Sequence, residues 1–280
     1  AKGADGSKSR PDVKETSPQI GLNFRLTPNL IVFGNMSESF VPQGGFFRRL
    51  PGGTGREEDI VEEPRLPQIG EGLEFGFKLD GLMDGKLSGT VSYFDIDRKN
   101  VVVPLVVFPD GPSTPETSFR ADRYIDGETS SGLELNVIYS PVPNWQILFA
   151  YTYLDAGRND PTIDPSDPYR DYVLAIPGVP ENQWSIWTKY SFTGDLEGLS
   201  VGGGIVSMDS RRGGLTLDDY ITLDSYTRYD LYVGYKWETG SGGTASINLN
   251  VENLLDEQYF RPGPIIEHPV NAKLNFQYTF

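Results

Sequence analysis

The C-terminal stretch Asn271-Ala272-Lys273-Leu274-Asn275-Phe276-Gln277-Tyr278-Thr279-Phe280 decides the fold class. Ala272, Leu274, Phe276, Tyr278 and Phe280 alternate without a break with Asn271, Lys273, Asn275, Gln277 and Thr279. Period two places every apolar side chain on one face of a strand and every polar one on the other. The same pattern recurs upstream. Ala245, Ile247, Leu249 and Val251 alternate with Ser246, Asn248, Asn250 and Glu252; Tyr229, Leu231, Val233, Tyr235 and Trp237 form the next stripe. Further stripes are Trp184, Ile186, Thr188, Tyr190 and Phe192; Trp145, Ile147, Phe149, Tyr151 and Tyr153; Leu133, Leu135, Val137 and Tyr139; Leu73, Phe75, Phe77 and Leu79; and Ile20, Leu22, Phe24 and Leu26. With 32 Gly and 21 Pro, few segments of helical length escape interruption.

The pattern predicts about eleven strands, at 17–27, 29–42, 68–80, 85–103, 124–141, 144–157, 180–193, 197–210, 223–238, 243–255 and 268–280. Many reach the roughly 9–11 residues that cross a bilayer at a tilt. Their connections alternate in length. Short turns are expected around Pro28, Asp84, Pro143, Asp195 and Ser241, and long polar loops near 43–67, 104–123, 157–179, 211–222 and 256–267. Short turns at one end and long loops at the other describe an outer-membrane barrel. Aromatics at strand ends (Tyr139, Trp145, Tyr151, Tyr153, Tyr190, Phe192 and Trp237) fit interfacial girdles. A soluble antiparallel sheet would alternate too, but it needs neither these strand lengths nor this parity of loops. The expected fold is all-β, a transmembrane antiparallel barrel wall with Leu249, Phe276, Tyr278, Leu231 and Ile147 facing lipid.

Composition removes other classes. The chain has 280 residues, a formal charge of −15, one histidine and no cysteine. Thiolate metal sites, disulfide scaffolds and cysteine nucleophiles are therefore excluded, and nucleic-acid binding is opposed by the acidic balance. The longest apolar run, 101–108, is broken by Pro104 and falls far short of the roughly 18 residues of a spanning helix. Mean hydropathy of −0.36 reads as soluble, but hydropathy misses barrels because their strands alternate.

Ser17-Pro18-Gln19-Ile20-Gly21-Leu22 through Thr27-Pro28-Asn29-Leu30, followed by Ser37-Glu38-Ser39-Phe40-Val41-Pro42-Gln43, resembles the TonB-dependent siderophore receptors. So do Ile176-Pro177-Gly178-Val179-Pro180-Glu181-Asn182, Leu199-Ser200-Val201-Gly202-Gly203-Gly204, Ser225-Tyr226-Thr227-Arg228-Tyr229-Asp230 and Val251-Glu252-Asn253-Leu254-Leu255-Asp256-Glu257-Gln258-Tyr259-Phe260. The terminal Phe280 is similar to the aromatic end by which such barrels are recognised for assembly. The resemblance implies the C-terminal half of a barrel of about 22 strands, residues 17–280, with 1–16 as the remainder of an extracellular loop. It implies a bacterial outer-membrane location with a periplasmic C-terminus. The partners it implies are the N-terminal part of the receptor (plug and other strands), TonB with its inner-membrane energising complex, a ferric siderophore and outer-membrane lipid. No cofactor, metal or nucleic acid is implied, and no enzymatic activity. Alternative readings are uptake of cobalamin, haem or an oligosaccharide on the same fold, or a phospholipase-like outer-membrane enzyme or porin.

In this family, aromatic and Arg side chains of the extracellular loops capture the ligand. The matching loop residues are Phe46, Phe47, Arg48, Arg49, Phe119, Arg120, Tyr169, Arg170, Tyr172, Arg211, Arg212, Phe260 and Arg261, with the run from Phe46 to Arg49 foremost. Aromatics pack an organic scaffold, and Arg pairs with anionic groups. Asp155, Asp160, Asp164, Asp167 and Asp171 crowd one loop but match no calcium-loop spacing. His268 has no sequence-adjacent Ser to activate and reads as a rim residue. Glu74, Lys78, Glu134, Arg228, Asp230 and Lys236 are expected on the lumen side, hydrated or paired with the plug.

Overall fold

In the computed structural model, residues 14–44, 46–49, 60–107, 119–161, 163, 165–166, 174–213, 221–240, 242–261 and 265–280 are described. Nineteen strands are assigned among them. Eleven form one continuous sheet: β1 (Gln19–Thr27), β2 (Leu30–Val41), β5 (Gln68–Gly81), β6 (Leu87–Lys99), β9 (Gly127–Val142), β10 (Trp145–Asn159), β11 (Asn182–Ser191), β12 (Leu199–Met208), β15 (Tyr226–Glu238), β16 (Thr244–Glu252) and β19 (Asn271–Thr279). Every neighbouring pair is antiparallel and the order follows the chain. A meander of this kind puts alternate connections at opposite ends. The short turns with Pro28, Asp84, Pro143 and Asp195 therefore share one end, together with the turn closed by Thr239 N–H donating to the Gly243 carbonyl at 2.7 Å. The longer connections share the other. Of the positions expected to mark them, Ser113, Asp164, Asp218 and Gly263 lie outside the described residues, as does Ser241 at the short-turn end.

The register confirms two faces. Val201, Val233, Leu249 and Leu274 are direct cross-strand partners, as are Tyr235, Ile247 and Phe276 in the next row. Ile147, Leu231 and Tyr278 belong to this same apolar face. The opposite face pairs Ser200, Gly234, Asn248 and Asn275. Glu74, Lys78, Glu134, Arg228, Asp230 and Lys236 all project from it. Large side chains on the apolar face are open: Ile20 is 75% exposed, Leu274 68% and Phe276 67%. A continuous exposed apolar face of this width is a surface built for lipid. Aromatics rim it at the short-turn end, where Tyr190 meets Trp145 and Phe192, and Trp237 meets Tyr235 and Phe276.

Two features depart from the sequence expectation. Residues expected as one strand over 85–103 divide at Asn100, whose φ of 58° ends β6 and sends β7 (Val101–Val107) out of the wall. Asn tolerates the left-handed region, and its amide here donates to the Pro67 carbonyl at 2.8 Å. The returning strand β8 (Phe119–Ile125) rejoins the wall through Gly127 at φ 156°, where a Cβ would sit 2.4 Å from the Arg98 carbonyl oxygen. The second departure is that the long connections are not simply irregular loops. They carry four small hairpins: β3 (Phe46–Arg49) with β4 (Val61–Pro64), β7 with β8, β13 (Arg211–Arg212) with β14 (Thr222–Leu223), and β17 (Phe260–Arg261) with β18 (Ile265–Ile266). Most of these strands are too short to announce themselves by periodicity, and β7, a run of Val and Leu interrupted by Pro104, shows no alternation. Phe47 of β3 finds burial against Tyr124 of another connection.

Candidate ligand-binding end of the barrel

The long connections build two structured lobes above the wall. In the first, hairpins β3–β4 and β7–β8 pack together. Phe47 stacks on Tyr124 with ring centres 4.2 Å apart and planes 8° from parallel. Phe47 and Phe119 are buried with Ala121, and Val101, Val103 and Ile125 form a buried cluster beside them. Polar contacts fasten the unit: Arg48 N–H donates to Asp122 Oδ2 at 3.1 Å, Arg65 Nη2 pairs with the same oxygen at 3.2 Å, and Leu66 N–H donates to the Tyr124 hydroxyl at 2.9 Å. Gln43 Nε2 spans the Leu66 and Asn100 carbonyls at 2.8 and 2.9 Å, tying both hairpins to their wall strands. Below the lobe on the inward face, Glu128 accepts from Arg98 at 2.9 Å and Arg158 at 3.1 Å, joining β6, β9 and β10.

The second lobe is organised by β13. The Arg212 guanidinium donates to the Ala175 carbonyl at 3.1 Å, and the Arg212 carbonyl accepts from Gly178 N–H at 2.7 Å. Arg211 donates to the Phe260 carbonyl and lies 5.6 Å over the ring of Tyr226. Tyr226 stacks on Tyr259 with ring centres 4.1 Å apart. Arg228 reaches the Tyr259 hydroxyl at 3.3 Å and Asp230 at 2.9 Å. The elbow after β16 is held by Asn253, 2% exposed at φ 56°, whose amide donates to the Glu257 and His268 carbonyls and accepts from Glu257 N–H. His268 thus contributes its backbone to the rim.

The expected ligand residues are divided by this arrangement. Phe47 and Phe119 are in the interior of the first lobe, and Phe46 and Arg48 lie half-buried on the alternate face of β3. Arg49 ends β3 opposite Val61, and Arg120 stands opposite Val106. Arg211 and Arg212 are buried at the centre of the second lobe, Phe260 is exposed beside them, and Arg261 pairs with Ile265 in β17–β18. Tyr169, Arg170 and Tyr172 lie outside the described residues, with Asp164, Asp167 and Asp171; among the described residues no group of acidic or His side chains could hold a metal. Phe280 follows the last wall strand, edge to face with Tyr278. Sequence reasoning missed Tyr124, Tyr226, Tyr259, Asp122 and Asn253. It also left Arg228 and Asp230 to water or the plug, whereas they pair with each other and Arg228 also reaches Tyr259. Arg228 and Asp230 are two apart in one strand, so period two alone places them on one face; nothing in the sequence brings Tyr259 to them.

A wall of antiparallel strands bearing folded lobes at one end is the architecture of a receptor barrel, and the family model described as "TonB dependent receptor-like, beta-barrel" matches residues 2–254. The chain belongs to the TonB-dependent receptor β-barrel family. It is 29% identical over 260 residues to the metal-pseudopaline receptor CntO of Pseudomonas aeruginosa, covering 91% of this chain and 31% of that protein. It is 26% identical over 201 residues to the ferripyoverdine receptor of the same species, covering 69% and 21%. To the catecholate siderophore receptor Fiu of Escherichia coli it is 28% identical over 245 residues, covering 86% and 29%. The chain therefore spans about a third or less of the length of these curated relatives. The fold agrees with that of the Pseudomonas aeruginosa pyoverdine outer-membrane receptor FpvA bound to pyoverdine, with TM-score 0.70, 22% identity and coverage of 94% of this chain and 36% of that one. TonB-dependent receptors are outer-membrane barrels that act in transport rather than catalysis. The exposed apolar face of the wall is accordingly its lipid face, and the polar face its lumen side.

Proposed function

We propose that this chain is the C-terminal part of the barrel wall of an outer-membrane receptor that takes up a ferric siderophore with energy supplied through TonB. The observation that carries the reading is the family match together with three relatives whose names specify metal-chelate or siderophore reception. The structured aromatic and cationic lobes at one end are suited to holding an organic scaffold with anionic groups. Ligand binds at the outer face. TonB, driven by the inner-membrane proton gradient, pulls on a plug contributed by the rest of the receptor and opens a path; no covalent bond is made or broken.

Sheet geometry supports the need for that remainder. With eleven strands in a strict meander, β1 and β19 run in the same direction and each has one neighbour among the described strands. They cannot close as an antiparallel pair, and unpaired backbone in hydrocarbon costs several kcal/mol per group. A second set of strands, completing a barrel of about 22, satisfies both edges. In this reading the short turns and the C-terminus are periplasmic and the lobes are extracellular.

The test is iron uptake by a strain relying on the full-length receptor. Labelled iron should enter with an added siderophore and stop when TonB is deleted. TonB-dependent uptake of cobalamin, haem or an oligosaccharide, with no siderophore-dependent iron, would overturn the substrate assignment and leave the fold untouched. Phospholipid hydrolysis or passive solute flux without TonB would overturn the receptor reading itself.

A further inference from the structure

Asp230 stands in the lumen-facing row of β15, opposite Gly204 of β12, and its side chain is 13% exposed. Both of its oxygens are in use, and each leads to the connection between β16 and β19. Oδ1 accepts from Asn253 N–H at 2.9 Å. The Asn253 side-chain amide in turn donates to the Glu257 and His268 carbonyls at 2.9 and 3.2 Å and accepts from Glu257 N–H at 2.9 Å. This arm grips both ends of the segment that carries hairpin β17–β18. Oδ2 accepts from Arg228 Nη2 at 2.9 Å, and Arg228 Nη1 donates to the Tyr259 hydroxyl at 3.3 Å. Tyr259 stacks on Tyr226, and its carbonyl accepts from Glu267 N–H at 2.9 Å, extending the hairpin ladder. This second arm grips the hairpin itself.

We infer that Asp230 is a positioning residue: from the lumen side of the wall it sets the stance of hairpin β17–β18, and with it the exposed Phe260 ring, through Asn253 and Arg228 together. Charge suits it to both tasks. An ionised carboxylate accepts on both oxygens, and its bonds are stronger than those of a neutral acceptor. A carboxamide in its place still accepts from Asn253 N–H but turns an amino group toward Arg228. Loss of the whole carboxyl group deprives the Asn253 N–H and the Arg228 guanidinium of an acceptor at once, and enclosed donors without acceptors are costly to keep in place. The Arg211 bond to the Phe260 carbonyl and the Tyr226 stack act at residues 259 and 260, so they hold the first strand of the hairpin and not the ends of the segment. Asp230 is the group common to both arms. The positioning does not depend on which solute is taken up; that Phe260 then meets a ligand rests on the uptake reading.

The experiment is hydrogen exchange of the full-length receptor in detergent without ligand, read by mass spectrometry over 253–270, with β12 and β16 as wall controls. Asp230→Ala should accelerate exchange across 253–270 by roughly tenfold or more, a change of about 1.4 kcal/mol, and leave the controls unchanged. Asp230→Asn, which keeps the acceptor for Asn253, should accelerate the hairpin while 253–258 stays closer to wild type. Tyr259→Phe removes the second arm alone; it should match Asp230→Asn in the hairpin and add nothing to Asp230→Ala. If Asp230→Ala does not fold, the comparison of Asp230→Asn with Tyr259→Phe decides: equal acceleration confined to the hairpin supports the positioning role. Unchanged exchange in the hairpin, acceleration shared equally by the wall controls, or additive effects of Tyr259→Phe and Asp230→Ala would overturn it, because a carboxylate that merely stabilises the wall loosens β12 and β16 as well.

Discussion

Replacing Leu249 by Arg tests the two-faced wall directly. Leu249 lies in the row with Val201, Val233 and Leu274 on the lipid face. The row that carries the interfacial aromatics Trp237 and Tyr278 passes through Ala245, four residues earlier on the same strand. At about 3.4 Å per residue the separation is about 14 Å along the strand. At a tilt of about 45° this becomes roughly 10 Å of depth. The apolar band of such barrels is about 25 Å tall, so Leu249 sits close to its middle. An Arg there costs about 2–4 kcal/mol, which is roughly a 30- to 700-fold loss in the folding equilibrium. Ile247, one row nearer the aromatic rim, should cost less. Asn250, the next residue, faces the lumen between Tyr232 and Lys273, where Arg should be almost neutral. The assay is denaturant-dependent folding of the full-length receptor into phosphocholine vesicles, followed by the heat-dependent gel mobility of folded barrels. The expected order of destabilisation is Leu249→Arg, then Ile247→Arg, then Asn250→Arg. Equal losses for Leu249→Arg and Asn250→Arg would refute the assignment of faces.

Phe47→Ala should loosen the first lobe without unfolding the wall. A buried Phe truncation costs about 3–5 kcal/mol, so hydrogen exchange should accelerate in β3, β4, β7 and β8 while β15 and β16 stay protected. Gly204→Val places a branched side chain where a Cβ alone would lie 2.3 Å from the Trp187 ring. It should destabilise the barrel by about 1–3 kcal/mol and shift tryptophan emission, whereas Gly203→Ala, whose Cβ meets only the Asp230 carbonyl at 3.4 Å, should be milder. Asn253→Ala removes the amide that bonds Glu257 and His268 and leaves Ala at positive φ. A loss of about 1–3 kcal/mol, with faster proteolysis at 254–270 in the folded receptor, is the expected readout.

The faces of the wall were legible because side-chain direction in a strand is a local property. Leu274 and Asn275 point opposite ways whatever else the chain does, and eleven such stretches, with short and long connections alternating between them, leave an antiparallel meander as the economical arrangement. Composition likewise excluded thiol and multi-histidine chemistry without any coordinates.

The loop end obeyed a different logic. Phe46 and Phe47 are adjacent aromatics of equal hydrophobicity, but Phe47 became the interior of a lobe because β3 met Tyr124 on a distant hairpin. The Arg48 backbone and Asp122, which fasten the same lobe, are 74 residues apart. Arg211 and Phe260, 49 residues apart, meet only because two separate connections come together. Periodicity in sequence reports which side of its own strand a residue occupies, and so the sequence by itself determined the wall, its two faces and the alternation of its ends. Which loop residues were buried and which cations were paired depended on contacts between segments far apart in the chain, and only the tertiary structure decided them.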